Sequence, residues 1–128
     1  MPQSTPEVGS IAWTDLTVKD AEAVRDFYAE VVGWTPEAVA MGGYSDYNMR
    51  APGSGTGVAG VCHARGVNAD LPAQWLVYIV VHDVEVAAAR CEAGGGRVLV
   101  RPKPLGGGRY CVIQDPAGAV CALCQAKA

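Results

Sequence analysis

Trp13-Thr14-Asp15-Leu16-Thr17-Val18-Lys19-Asp20 and Leu76-Val77-Tyr78-Ile79-Val80-Val81-His82-Asp83 are the two stretches whose reading decides the fold, because one plan is written in both, 63 positions apart (83 − 20). Each is a strand that runs directly into an Asp suited to cap a helix. In the first copy, period-two alternation puts Trp13, Asp15 and Thr17 on one face and Thr14, Leu16 and Val18 on the other. The second set is plain enough to pack beneath a helix.

That helix follows at once. Asp20 is its N-cap, Glu22 suits the positive end of the dipole, and Val24, Phe27, Tyr28 and Val31 recur at helical spacing before Gly33 stops it. Three strand-like runs come next, Trp34–Val39, Tyr44–Arg50 and Thr56–His63, separated by glycine-bearing turns. The second half repeats the order: a strand over Gln74–Val81, a helix capped by Asp83 with Val84, Ala87, Ala88 and Cys91 inward, and strands over Arg97–Arg101, Arg109–Gln114 and Ala119–Gln125. The expected organisation is one domain over 1–128, with a first βαβββ module at 9–63, a polar connector at 64–73 and a second module at 74–126. Residues 1–9 read as a loosely held lead-in.

Composition narrows the function classes. A chain of 128 residues, half of them hydrophobic, suffices for one core. A net charge of −3 draws the protein to neither phosphate backbones nor anionic lipid, so no nucleic-acid or membrane partner is expected. The first residues have neither a basic n-region nor an apolar h-region, and five cysteines set in strand-like text suit reduced thiols. The expectation is a soluble cytoplasmic protein.

The motifs then point to a family. Leu16-Thr17-Val18-Lys19-Asp20 before the first helix, Phe27-Tyr28-Ala29-Glu30-Val31-Val32-Gly33-Trp34 closing it, and Asp115-Pro116-Ala117-Gly118 before the last strand resemble the vicinal oxygen chelate superfamily of glyoxalases, bleomycin-resistance proteins and extradiol dioxygenases. The resemblance covers residues 9–126. It implies an α+β fold in which two tandem βαβββ modules form a cup-like open β-barrel with helices outside and ligand inside, and a homodimer as partner.

Family enzymes hold a divalent metal with His or Glu from the first and last strand of each module. Carried over, the first-strand positions are Trp13 and Leu76. The last-strand positions are Ala122 and, at the same offset of 63, Ala59. None can ligate a metal, and a slip of one residue brings in Thr14, Trp75, Cys121 or Gly60 without restoring a donor set. The expectation is no metal and no cofactor.

The remaining polar and aromatic residues supply the candidates. Trp13, Asp15, Leu76, Tyr78, Ala122 and Cys124 are expected to line the cup, with Val80, Ala59, Val61 and His63 beside them, and Tyr47 in a wall that also holds Tyr44 and Asp46. Asp15 either binds a cationic or hydroxylated ligand, acts as a base, or is satisfied by Tyr78 or a wet rim. His63 is a general base beside Arg65 or an edge residue. Cys121 and Cys124 are three apart on a strand and face opposite ways, which suits packing and not a redox pair. Glycine runs 94–96 and 106–108 lack the context of a phosphate loop and read as turns. Two functions stay open: a metal-free binding protein for a small organic molecule, and a metal-independent enzyme using Asp15 or His63. A metal enzyme with relocated ligands ranks behind both.

Overall fold

The computed structural model describes residues 6–125, so the expectations for residues 1–5 and for residue 126 lie outside the described residues. The elements run β1 (Ile11–Val18), α1 (Ala21–Val32), β2 (Thr35–Ala40), β3 (Ser45–Arg50), β4 (Gly57–His63), β5 (Trp75–Val80), α2 (Val84–Ala93), β6 (Arg97–Leu105), β7 (Gly108–Gln114) and β8 (Val120–Gln125). This is the βαβββ order twice, and the class is α+β. The polar connector contains a short 3-10 turn at Gly66–Asn68. By its contacts the chain divides into two compact units, one spanning Trp13–Trp75 and the other Leu76 onward together with the lead-in up to Ala12.

In the first unit the strand order is β2-β3-β4-β1. β1 and β4 are parallel, with Asp15 opposite Gly60 and Leu16 opposite Val61, and β3 runs antiparallel to β4 with Tyr47 opposite Val61. Helix α1 starts where Asp20 Oδ1 accepts the Ala23 amide, and ends at Gly33, whose φ of 86° closes the last turn in the left-handed region. Its Ala21 packs with Tyr47, Met49 and Val61 of the sheet, and Val18, Val24 and Tyr28 join them. Phe27 and Val31 were expected in this stripe but are 56% and 63% exposed. Trp34, tilted against the Tyr28 ring at 5.8 Å, and Trp75, edge-on to it at 5.2 Å, pack against the core beside the last turn instead, and Trp75 Nε1–H donates to the Tyr28 hydroxyl at 3.1 Å.

In the second unit the order is β5-β8-β7-β6. Asp83 caps α2 through both the Glu85 and Val86 amides. Val84 and Ala88 of that helix are buried against Cys111 and Leu123, with Ile79, Cys121 and Ile113 around them. Among the described residues no helix is long and apolar enough to cross a membrane.

Candidate functional site

Each half-sheet has a face under its helix and a face without one, and the strand registers assign residues to them. In the first unit Tyr47, Met49 and Val61 lie beneath α1, so their in-register neighbours of opposite parity, Asp15, Asn48, Gly60 and Cys62, take the helix-free face. Trp13 joins them by alternation. Its indole Nε1–H donates to Asp15 Oδ1 at 2.6 Å, so Asp15 is held by its own strand neighbour. The pair closes over Gly60, where an added Cβ would stand 2.2 Å from Asp15 Oδ1 and 3.6 Å from the Trp13 ring nitrogen.

This geometry corrects the placement of the last-strand position. The parallel pairing matches Asp15 with Gly60 in one module and Tyr78 with Ala122 in the other. The counterpart of Ala122 is therefore Gly60, and Ala59 and Val61 turn beneath the helix. One fixed offset fails because the two modules differ in element length and register: α1 has 12 residues and α2 has 10, the β3/β4 register shifts at Met49/Arg50, and the β6/β7 register shifts twice. Period-two counting cannot see such differences.

Tyr47 and His63 also differ from the expected lining. Tyr47 is buried beneath α1, with Arg25 over its ring at 4.7 Å and its hydroxyl 3.5 Å from Glu22 Oε2. His63, opposite Val18 at the end of β4, is half-buried on the side of Val61. There it forms a cluster whose orienting member, Asp46, the sequence reading placed only as part of an acidic wall. Asp46 Oδ1 accepts the His63 backbone N–H at 2.8 Å and lies 3.3 Å from Nδ1. An ionised carboxylate only accepts, so the neutral tautomer that satisfies Asp46 is the one with the proton on Nδ1 and the lone pair on Nε2. The Tyr44 ring meets the imidazole edge-on at 5.6 Å, and the Arg65 guanidinium stacks on Tyr44 at 3.8 Å.

On the second unit's helix-free face, Tyr78 is in register with Ala122 and Val112, and Val80 with Cys124 and Tyr110. Leu76 shares the face by alternation and is buried. The Tyr78 and Tyr110 rings lie 6.5 Å apart. Cys121 packs with the core under α2 while Cys124 takes the other face, so the two thiols are on opposite sides.

Burial holds the cysteines as thiols. The Cys62 pKa is raised far above the ordinary thiol value, first by burial and then by the Asp15 and Asp46 carboxylates, and Cys111 is pushed up to about 11, chiefly by burial. Neither is a nucleophile in waiting. Nor do the residues present fit the metal that the resemblance implies: the donor positions hold an indole, no side chain, and two aliphatic groups. Among the described residues no three of His, Cys, Asp and Glu gather as a metal set.

Comparison with known proteins adds to this geometry. Residues 10–123 match the Glyoxalase/Bleomycin resistance protein/Dioxygenase superfamily. The chain is 35% identical over 131 residues to the anthracycline biosynthesis protein DnrV of Streptomyces peucetius, a match covering 90% of this chain and 46% of that protein. It is 30% identical over 115 residues to the putative glyoxylase CFP32 of Mycobacterium bovis, covering 89% and 43%. It therefore spans less than half the length of these curated relatives. Among solved structures, a Streptomyces coelicolor methylmalonyl-CoA epimerase variant in complex with 2-nitronate-propionyl-CoA superposes with a TM-score of 0.59 at 17% identity, covering 95% of this chain and all of that one. The Mn(II)-bound glyoxalase from Novosphingobium aromaticivorans superposes with a TM-score of 0.56 at 22% identity, covering 94% and 42%. At these identities the superpositions speak for the fold alone.

Proposed function

This chain belongs to the Glyoxalase/Bleomycin resistance protein/Dioxygenase superfamily, and from that membership we propose that it is a metal-free binding protein for a small organic molecule. The observation that carries the reading is the Trp13–Asp15 bond closed over Gly60. Where the resemblance calls for a histidine and a carboxylate reaching toward a metal, this module offers an aromatic edge and a carboxylate already turned to an N–H donor. Such a surface suits a planar ligand bearing a cationic or hydroxyl group. Tyr78 and Cys124, with the buried Leu76 and Ala122 beside them, are proposed as ligand-contacting residues on the second module's own helix-free face. Five free thiols support a reducing, cytoplasmic setting. Exposed Phe27, Val31 and Val32 on α1 support a homodimer.

Two Streptomyces relatives are named for anthracycline biosynthesis, which makes an aminated anthracycline such as daunorubicin the first probe. Titrated into the protein, it is expected to quench tryptophan emission saturably, with Trp13→Phe removing most of the response and Asp15→Asn weakening affinity about tenfold. Absence of saturable quenching across this and a panel of planar aromatic amines sinks the reading, and so does binding that needs added metal.

A second reading, a metal-independent acid/base enzyme, is favoured by one observation, the Asp46–His63 pair that leaves Nε2 free to take a proton. Under it, His63→Gln abolishes turnover of a bound ligand while leaving its affinity within about threefold. A binding protein shows no turnover to lose.

A further inference from the structure

On the helix side of the second unit, the lead-in, β5 and α2 enclose a groove of about 550 Å3, away from the face that carries Tyr78 and Ala122. That volume is within the range of small-molecule sites. Its walls are apolar, made chiefly by Val8, Val81, Val86 and Ala87, and its polar groups are His82 and Asp83, adjacent at the start of α2, and Arg90 farther along the helix. Asp83 lies at one end, with its carboxylate committed to two amides of the helix start. Arg90 lies at the other, seven residues and about 10 Å along the helix. Arg90 has no carboxylate partner among the described residues, since the ion pairs of the second unit are Arg101 with Glu92 and Arg109 with Glu85. An apolar channel of this length with a free guanidinium at one end complements a chain of hydrocarbon that ends in an anion.

We propose that this groove binds a medium-chain monocarboxylate, with its alkyl chain along Val81, Val86 and Ala87 and its carboxylate on Arg90. The Asp83 end disfavours a second anion, so a dicarboxylate is excluded. The site does not depend on the Trp13–Asp15 face, and the two succeed or fail separately.

The chain has two histidines, and His82 lines the groove while His63 belongs to the other unit. Octanoate and octan-1-ol are therefore titrated separately into the full chain, with the two imidazole C–H resonances followed by NMR. The expected result is a saturable shift of His82 with His63 unmoved, and octanoate binding about three- to tenfold more tightly than the alcohol, the modest ratio reflecting an exposed guanidinium. Arg90→Gln should make the two ligands equal, and Val86→Asp should abolish both. Both side chains are exposed, so neither change threatens the core. The proposal is overturned if His82 does not saturate, if acid and alcohol bind the wild-type protein equally, or if Arg90→Gln leaves their ratio unchanged.

Discussion

Gly60 shows how one residue governs a face. Its missing side chain is what lets the Asp15 carboxylate lie down toward Trp13, and a Cβ there would overlap Asp15 Oδ1. Gly60→Ala should rotate the carboxylate away and release the indole, seen as an upfield shift of the Trp13 Nε1–H resonance and at least a tenfold loss of whatever ligand that face binds. An unmoved indole resonance would mean that the pair does not depend on the glycine. Cys111 makes the residue-scale case for pH. Its folded pKa of about 11 stands above the ordinary thiol value, so its contribution is fully present below the unfolded pKa and is lost as pH rises through the folded one. The window is therefore about pH 9 to 11. Urea midpoints of the wild-type protein should fall more steeply across it than those of Cys111→Ala; parallel slopes would remove the thiol from the account.

At the scale of elements, the end of α2 makes a close junction with β7. A Cβ on Gly96 would stand 2.6 Å from Cys91 Sγ and 2.8 Å from the Gln114 carbonyl oxygen, which is strand backbone and cannot move aside. Gly96→Ala should destabilise by about 1–3 kcal/mol. Gly107→Ala, where nothing lies within 4 Å, should stay within about 0.5 kcal/mol. Equal denaturation midpoints for the two variants would contradict the close approach. The same elements show what was legible in the sequence. Capping aspartates, helix-stopping glycines and strand alternation act between near neighbours, so both helices and all eight strands could be read within a few residues. Bulges and cross-strand side-chain bonds depend on the partner strand. That is why Ala59 stood in for Gly60, why Tyr47 and His63 were assigned to the wrong side of their sheet, and why the bond from Asp46 to His63 went unseen.

For the molecule as a whole, the question is whether a superfamily built around a divalent ion has here a member that holds none. A divalent ion requires at least three N or O donors converging at about 2.0–2.5 Å. The inherited positions now provide Trp13, Gly60, Leu76 and Ala122, and the nearest carboxylate, Asp15, already accepts the indole N–H. After dialysis against zinc, nickel, manganese or ferrous iron, the purified protein should therefore carry well under one equivalent of each by elemental analysis. One tightly held ion per chain would show that side chains outside these positions have rebuilt a site. The corrected register makes a sharper version of the same experiment possible inside a single module. Trp13→His combined with Gly60→Glu puts two donors on the helix-free face, one on each of two paired strands, and should raise nickel affinity measurably over the wild-type chain. Trp13→His combined with Ala59→Glu sends the carboxylate beneath α1, where it gains no metal and loses stability as a buried charge. If the two double variants bind nickel equally, the pairing of Asp15 with Gly60 is not the register of the protein in solution, and the erased site must be sought one residue away.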